Sequence, residues 1–371
     1  MVNNFPLPTV YLQQKIILYY GLLRDIINSK NIGGNKMNTY NINIPRLCET
    51  CRLGVLVSDP TPINGGFLHR MYDVKTARGH YAIKALNPNI MIRKEAVLNY
   101  KLSEIIANKV SEKIKVSCAN NYNGSYLQNI DEQYYLIYDY INGQTIGTDE
   151  ITAEHSYKIG SILAIIHNTD FSEVPYDSDS DETSVVIDFE FYLNEGKKAS
   201  SVWYELLNNN LEKLYMLTEK MNSALSESFS KKIISHCDLD YKNVLWNDCE
   251  PTIIDWECAG YTDKNRDFLD TALYWSLDSN DNFRKEHFKA FVNGYKSITS
   301  IDKFNAEAVL YSSLEGKLSW LEYNLKRALG IECADEKERR LGTEQVTYTI
   351  MQIGRYVQTF DEITACFSKI I

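Results

Sequence analysis

Ile233-Ile234-Ser235-His236-Cys237-Asp238-Leu239-Asp240-Tyr241-Lys242-Asn243-Val244-Leu245-Trp246, followed by Ile253-Ile254-Asp255-Trp256-Glu257, is the stretch on which the reading of this chain turns. Apolar, largely β-branched runs (Ile233-Ile234, Val244-Leu245-Trp246, Thr252-Ile253-Ile254) alternate with polar turns. That pattern predicts short strands joined by hairpin-like loops that carry the polar groups. Asp238 can accept a proton from a hydroxyl. Asn243 offers a neutral oxygen and Asp255 an anionic one. A hard cation such as Mg²⁺ takes a few such oxygens and keeps its other positions for water and phosphate. His, Asp and Asn also populate turns for local reasons, because each bonds nearby backbone. The arrival of a second aspartate in order, within the next strand, argues for a chemical site.

The H-x-D-x-x-x-x-N pattern with a strand-borne Asp behind it resembles a kinase catalytic loop and its metal aspartate. The segment is similar to the aminoglycoside phosphotransferase and choline kinase superfamily, small-molecule relatives of the protein kinases, and the similarity runs in order over roughly residues 55–330. The resemblance implies an α+β, bilobal protein-kinase-like fold with a small β-rich N-terminal lobe and a large, mainly helical C-terminal lobe. The corresponding divisions are a helical extension (1–45), the N-lobe (46–137), a hinge (138–144) and the C-lobe (145–371). It implies transfer of the terminal phosphoryl group of ATP or GTP, with Mg²⁺, to the hydroxyl of a small acceptor. Asp238 would be the catalytic aspartate, Asn243 and Asp255 the metal ligands, and His236 and Asp267 the residues that brace the loop. Acceptors in the superfamily include aminoglycosides, choline, homoserine and methylthioribose, so choline, amino-alcohol and sugar kinases stay open alongside aminoglycoside modification. A catalytically silent nucleotide-binding protein is the alternative from another class. Asp255-Trp256-Glu257 stands in place of D-F-G, and no A-P-E follows. The short run to Asp267 leaves no space for an activation segment, which argues against a protein kinase.

Bulk properties fit a globular enzyme. The chain has 371 residues, 44% hydrophobic and 24% charged, with a net charge of −10. That length can bury a substantial core and suits more than one lobe. The negative balance disfavours nucleic acid as a partner and suits a neutral or cationic substrate. No run reaches the roughly 20 apolar residues of a membrane span, and no signal-peptide pattern opens the chain. A cytoplasmic protein is expected. The eight cysteines show no framework spacing, and Cys48 and Cys51 form the one close pair. Free thiols are the expectation.

Upstream, residues 1–36 read as an amphipathic helix closed by Ile32-Gly33-Gly34-Asn35. Gly54-Val55-Leu56-Val57, Met71 to Val74 and His80 to Leu86 read as strands. Between the first two, Gly65 and Gly66 permit close backbone approach, so amides there could bond phosphate oxygens. Lys84, in Tyr-Ala-Ile-Lys, has the pattern of a lysine that pairs nucleotide phosphates. A helix expected over 92–110 offers Glu95, and in reserve Glu104, to hold that lysine.

The resemblance assigns Gln133 to Tyr140 to a strand that enters the hinge. Tyr138, Asp139, Tyr140 and Ile141 would read the base through main-chain groups. From 152 to 168 a core helix is expected, with His167 satisfying a buried bond. The acidic run 176–182 is either a solvated loop or an attraction for a cationic acceptor. Asp188, Glu190 and Glu257 are further acceptor candidates. Trp320 and Tyr323 would wall an acceptor pocket or, equally in keeping with their spacing, pack in the core.

Overall fold

The computed structural model describes residues 40–63, 69–174, 184–227, 232–331 and 336–371. The helix expected in 1–36, Gly65, Gly66 and the acidic run 176–182 lie outside the described residues.

The N-terminal lobe opens with α1 (Ile44–Thr50), whose Pro45 sits in the first turn and whose Asn43 side chain caps the Arg46 amide. Strands β1 (Thr61–Ile63), β2 (Arg70–Thr76), β3 (Gly79–Ala85), β4 (Gln128–Ile130) and β5 (Gln133–Asp139) form one antiparallel sheet in the order β1-β2-β3-β5-β4. Period-two alternation splits β3 between two layers. Ile83 packs with Leu47, Val74 and Ile137 beneath α1. Its neighbour Lys84 lies opposite Met71 and Leu136 in the ladder and turns to the other face. That second face is covered by α2 (Pro88–Met91) and α3 (Ala96–Ser111), through Leu86, Met91, Tyr100 and Leu136.

Two expectations shift here. Residues 54–57 are not a strand. Gly54 takes φ of 100°, and only Leu56 bridges to Thr76, leaving Val55 and Val57 exposed. The helix expected from 92 begins at Ala96, after the separate turn of α2. Pro88 starts that turn, where a missing N–H costs nothing.

The C-terminal lobe is mainly helical. It contains α4 (Ala153–His167), α5 (Phe189–Lys198), α6 (Tyr204–Glu227), the ladders β6 (Lys232–Ser235) with β9 (Gly260–Asp263) and β7 (Val244–Asn247) with β8 (Glu250–Ile253), then α7 (Lys264–Tyr274), α8 (Lys285–Lys296), α9 (Ala306–Ser312), α10 (Leu314–Ala328), α11 (Glu336–Gln358) and α12 (Phe360–Phe367). One apolar core joins them, with Trp203, Trp275, Phe288, Phe291 and Tyr295 fully enclosed. Among the described residues no helix is long and apolar enough to cross a membrane. Cys48 and Cys51 are free and buried, as are Cys237, Cys258 and Cys366.

Helices α4 and α8 meet backbone to backbone. A Cβ on Gly160 would strike the Phe291 carbonyl, and one on Gly294 the Tyr157 carbonyl. Carbonyls in regular helices cannot move aside, so Gly160→Ala should force the helices apart. The expected loss is about 2 kcal/mol or more, read as a lower urea midpoint in equilibrium unfolding, whereas Gly124→Ala, where nothing lies within 4 Å of the built Cβ, should give only the smaller cost of its positive φ.

Candidate active site

The loop after β6 is shaped by a residue in an unfavourable conformation. Cys237 has φ of 59°, a left-handed geometry that non-glycine residues seldom adopt. It turns the chain so that His236 and Asp238 both point inward, 0% and 6% exposed. The His236 ring is fixed at both nitrogens. Nδ1 accepts the Asp238 amide N–H at 3.2 Å, so Nε2 carries the proton and donates it to the Ile254 carbonyl at 3.0 Å. Burial lowers the His236 pKa, keeping the ring neutral.

Asp240 shapes the next turn. Its Oδ1 accepts the amide N–H groups of Lys242 (2.6 Å) and Asn243 (3.3 Å), and its Oδ2 pairs with Lys242 Nζ at 2.9 Å. Asn243 is thereby aimed at Asp238. Its Nδ2 donates to the Asp238 carbonyl at 2.7 Å and to Oδ2 at 2.8 Å. The Ile254 amide donates to the Asn243 carbonyl at 2.9 Å, so loops 236–243 and 254–257 are stitched together. Burial, reinforced by the charge of Asp240 and opposed by Lys242, raises the Asp238 pKa well above the usual carboxylate range. Asp255 adds to that rise.

Asp255 is itself left-handed, φ 60° and ψ 59°. It accepts from Lys84 Nζ at 2.6 Å, and Glu257 accepts from the same nitrogen at 2.9 Å. Burial would pull the Lys84 pKa down, but the two carboxylates overrule it and hold the ammonium above its ordinary value. Glu257, expected among the acceptor contacts, is therefore buried against Lys84. Glu95, expected to hold Lys84, stands exposed at the head of α3. Glu104 is buried but faces elsewhere, accepting the Ala119 amide at 2.7 Å and the Tyr138 hydroxyl at 2.9 Å. Glu257 wins because it arrives on the same short turn as Asp255, inside the reach of one lysine.

His69 extends this network beyond what sequence reasoning found. Its Nδ1 accepts the Asn87 amide at 3.0 Å, while Nε2 lies 2.7 Å from the Tyr100 hydroxyl and 3.2 Å from Glu257 Oε2. The available signal was a histidine directly after the glycine loop, facing a tyrosine on the buried side of α3. Asp267 braces the strand before the loop. Its Oδ2 accepts from Ser235 Oγ at 2.6 Å and from His167 Nε2 at 2.8 Å, and His167 Nδ1 bonds the Tyr295 hydroxyl at 2.8 Å.

At the hinge, the Tyr140 amide donates to the His80 carbonyl at 2.9 Å and so is not offered to a base. The Tyr140 ring stacks on His80, centroids 3.8 Å apart. Tyr138 points its hydroxyl inward to Glu104, and Asp139 accepts from Asn120 at 2.9 Å. Ile141 follows in irregular chain. The acceptor candidates disperse. Asp188 caps α5 through the Phe191 amide at 2.9 Å and Glu190 is exposed. Trp320 and Tyr323 are half-buried together on α10, rings 5.5 Å apart.

Among the described residues no group of three or more His, Cys, Asp or Glu side chains is placed to hold a metal ion. A cation here would use Asn243, Asp255 and oxygens brought by its ligand. The donor set fits that role: Asn243 spends only its Nδ2 on Asp238, leaving Oδ1, and Asp255 already faces a positive charge in Lys84. Hard oxygens of this kind suit Mg²⁺.

A family model described as the phosphotransferase enzyme family matches residues 59–299. No curated protein matches the chain. Solved structures match in fold. A spectinomycin phosphotransferase in complex with ADP and spectinomycin has a TM-score of 0.63 at 14% identity, covering 85% of this chain and 98% of that one. A choline kinase from Cryptosporidium parvum has a TM-score of 0.56 at 14% identity, covering 88% and 99%. An amicoumacin kinase in complex with AMP-PNP and Ca²⁺ has a TM-score of 0.56 at 11% identity, covering 84% and 96%.

The buried neutral histidine has a measurable consequence. Its folded pKa lies below the unfolded value of 6.5, so below that pH the unfolded chain binds the extra proton and stability falls as pH falls. In urea unfolding at pH 8 and pH 5.5, His236→Gln should be less stable than the wild type at both, by a smaller margin at pH 5.5, because the variant lacks the group that the unfolded chain protonates. His155 and His287 are shifted the same way and leave a residual slope.

Proposed function

Because the chain belongs to the phosphotransferase enzyme family, we propose that it transfers the terminal phosphoryl group of a nucleoside triphosphate, ATP or GTP, to the hydroxyl of a small acceptor. The observation that carries this reading is the convergence of Asp238, Asn243 and Asp255 through the His236–Ile254 and Ile254–Asn243 bonds, with Lys84 brought onto Asp255 from the other lobe. Asp238 takes the acceptor proton. Its raised proton affinity favours that role, and its orientation is fixed by Asn243. The acceptor oxygen forms a bond to the terminal phosphorus as the bond from phosphorus to the bridging oxygen breaks, and the nucleoside diphosphate leaves with the bridging oxygen's charge. Lys84 supplies positive charge to the phosphates, after exchanging one of its two carboxylate partners. Asn243 and Asp255 hold Mg²⁺, which when bound neutralises charge building on the phosphate oxygens. Positioning and charge neutralisation account for the rate in a transition state this loose.

The ADP and AMP-PNP bound to two structural neighbours, and the Ca²⁺ bound to one, support a nucleotide and a divalent ion. The acceptor class is that of small hydroxylated molecules, an aminoglycoside first, with choline, another amino alcohol or a sugar as the alternatives.

Asp238→Asn should lower kcat about 10³-fold or more and leave the nucleotide KM within about threefold, in an assay coupled to nucleoside diphosphate release. The folded protein binds the Asp238 proton more tightly than the unfolded chain, so this carboxylate destabilises increasingly as pH rises. The same variant should therefore melt at an equal or higher temperature at neutral pH. Retention of full transfer by Asp238→Asn sinks the assignment.

A further inference from the structure

One imidazole joins the chain before β2, the end of β3, helix α3 and the turn that carries Asp255. His69 directly precedes β2 and is buried, with its ring edge-on to Tyr100 of α3, centroids 5.9 Å apart. Its two nitrogens have different tasks. The Asn87 amide donates to Nδ1 at 3.0 Å, so Nε2 carries the ring proton. Nε2 lies 2.7 Å from the Tyr100 hydroxyl oxygen and 3.2 Å from Glu257 Oε2. Its hydrogen therefore falls between a neutral and an anionic oxygen, and the anionic one is the stronger acceptor. Glu257 Oε2 is also the oxygen that Lys84 Nζ reaches at 2.9 Å. A single carboxylate oxygen thus links the lysine to the histidine, and the link crosses between the lobes.

Lys84 cannot keep both carboxylates while it serves a nucleotide. The Asp255 side chain is 26% exposed and has a second use as a metal ligand. The Glu257 side chain is 5% exposed. Asp255 is therefore the partner that yields, and Glu257 the one that stays. From then on the place of the ammonium follows from where Glu257 stands. A buried carboxylate turns toward the donors around it. His69 is a fixed donor, because its ring cannot rotate without breaking the bond from Asn87. Helix α3 takes part through Tyr100 on His69, while its Glu104 is held by the Ala119 amide and Tyr138.

We propose that His69 is a positioning residue for the phosphates of the bound nucleotide. Its Nε2–H fixes Glu257, Glu257 fixes the Lys84 ammonium, and the ammonium meets the phosphates at a point set by that chain of contacts. This role rests on the phosphotransferase reading above. His69 acts on the nucleotide only through Glu257 and Lys84.

Two conservative substitutions separate the nitrogens. His69→Gln places an amide N–H donor where Nε2 stands and so keeps the donor to Glu257. His69→Asn places a carbonyl oxygen where Nδ1 stands, which keeps the acceptor for Asn87 and removes the donor to Glu257. Calorimetric titration of the full chain compares AMP-PNP with Mg²⁺ against adenosine (GMP-PNP and guanosine if the wild type takes that base). His69→Asn should bind the triphosphate analogue about tenfold or more weakly, the loss expected for a hydrogen bond to a charged group, and the nucleoside within about twofold of the wild type. His69→Gln should bind both within about threefold of the wild type. Glu257→Gln should weaken the analogue at least as much as His69→Asn, and adding His69→Asn to it should cost no more than about twofold.

Unchanged binding by His69→Asn, in a wild type that binds the analogue, overturns the proposal and spares the transferase reading. The reverse order, with His69→Gln losing affinity and His69→Asn keeping it, makes the ring a brace for Asn87 and overturns it too. So does an equal loss of nucleoside and analogue, or a full further loss when His69→Asn is added to Glu257→Gln. If thermal unfolding shows that His69→Asn does not fold, Tyr100→Phe decides. It leaves the Nε2–H to Glu257 alone and should bind the analogue as tightly as the wild type or more tightly. Binding about tenfold weaker would assign the positioning of Glu257 to the hydroxyl and overturn the proposal. A wild type that binds neither analogue refutes the transferase reading, and this role with it.

Discussion

Two hydrogen bonds to one residue, Ile254, hold the site together. Its carbonyl accepts from His236 Nε2 and its amide donates to the Asn243 carbonyl, at 3.0 and 2.9 Å. They lock the loop bearing Asp238 and Asn243 to the turn bearing Asp255 and Glu257. Both chains enter this junction through left-handed residues, Cys237 and Asp255. Such conformations persist only where the surroundings over-determine them. Here the surroundings are the closed His236 ring, the Asp240 turn and, one layer back, the Ser235–Asp267–His167–Tyr295 chain.

Charge is the second constraint. Asp255 and Glu257 share Lys84 as their cation, and the charge of Asp255 adds to the proton affinity of Asp238. Removing the lysine would leave carboxylates uncompensated, and a buried uncompensated charge is far costlier than a lost contact. Lys84 therefore ties the two lobes as well as poising the site. Its position follows from the alternation of β3, which puts Ile83 into the α1 layer and Lys84 on the opposite face. His69 and Tyr100 finish the hydrogen bonding of Glu257 from the N-terminal side.

The fold class and the loop from 236 to 243 could be read from the sequence because their signals are local. Short apolar runs, turn residues and the spacing from Asp238 to Asn243 lie within a few residues of each other. The partner of Lys84 could not be read that way. Glu257 is 173 residues away in the chain, and an apolar run after Glu95 looked like an equally good cue. Glu104 has the burial that role calls for, but Tyr138 and the Ala119 amide hold it. The segment 54–57 has strand-forming residues and still forms no strand, since Gly54 turns the chain and a single bridge is all β2 offers. The Tyr140 amide illustrates the same limit: the sequence offered its main chain to a base, while pairing with the His80 carbonyl takes the amide out of that role.

The central claim is that Asn243 and Asp255 share one divalent ion above Asp238. Crystals grown with AMP-PNP and Mn²⁺ test it directly through anomalous scattering. The account predicts a manganese peak in coordination contact with Asn243 Oδ1 and an Asp255 carboxylate oxygen, with Lys84 moved from Asp255 to a phosphate. A peak bound elsewhere, or nucleotide bound with the Lys84–Asp255 pair intact and no metal between the two side chains, would contradict it.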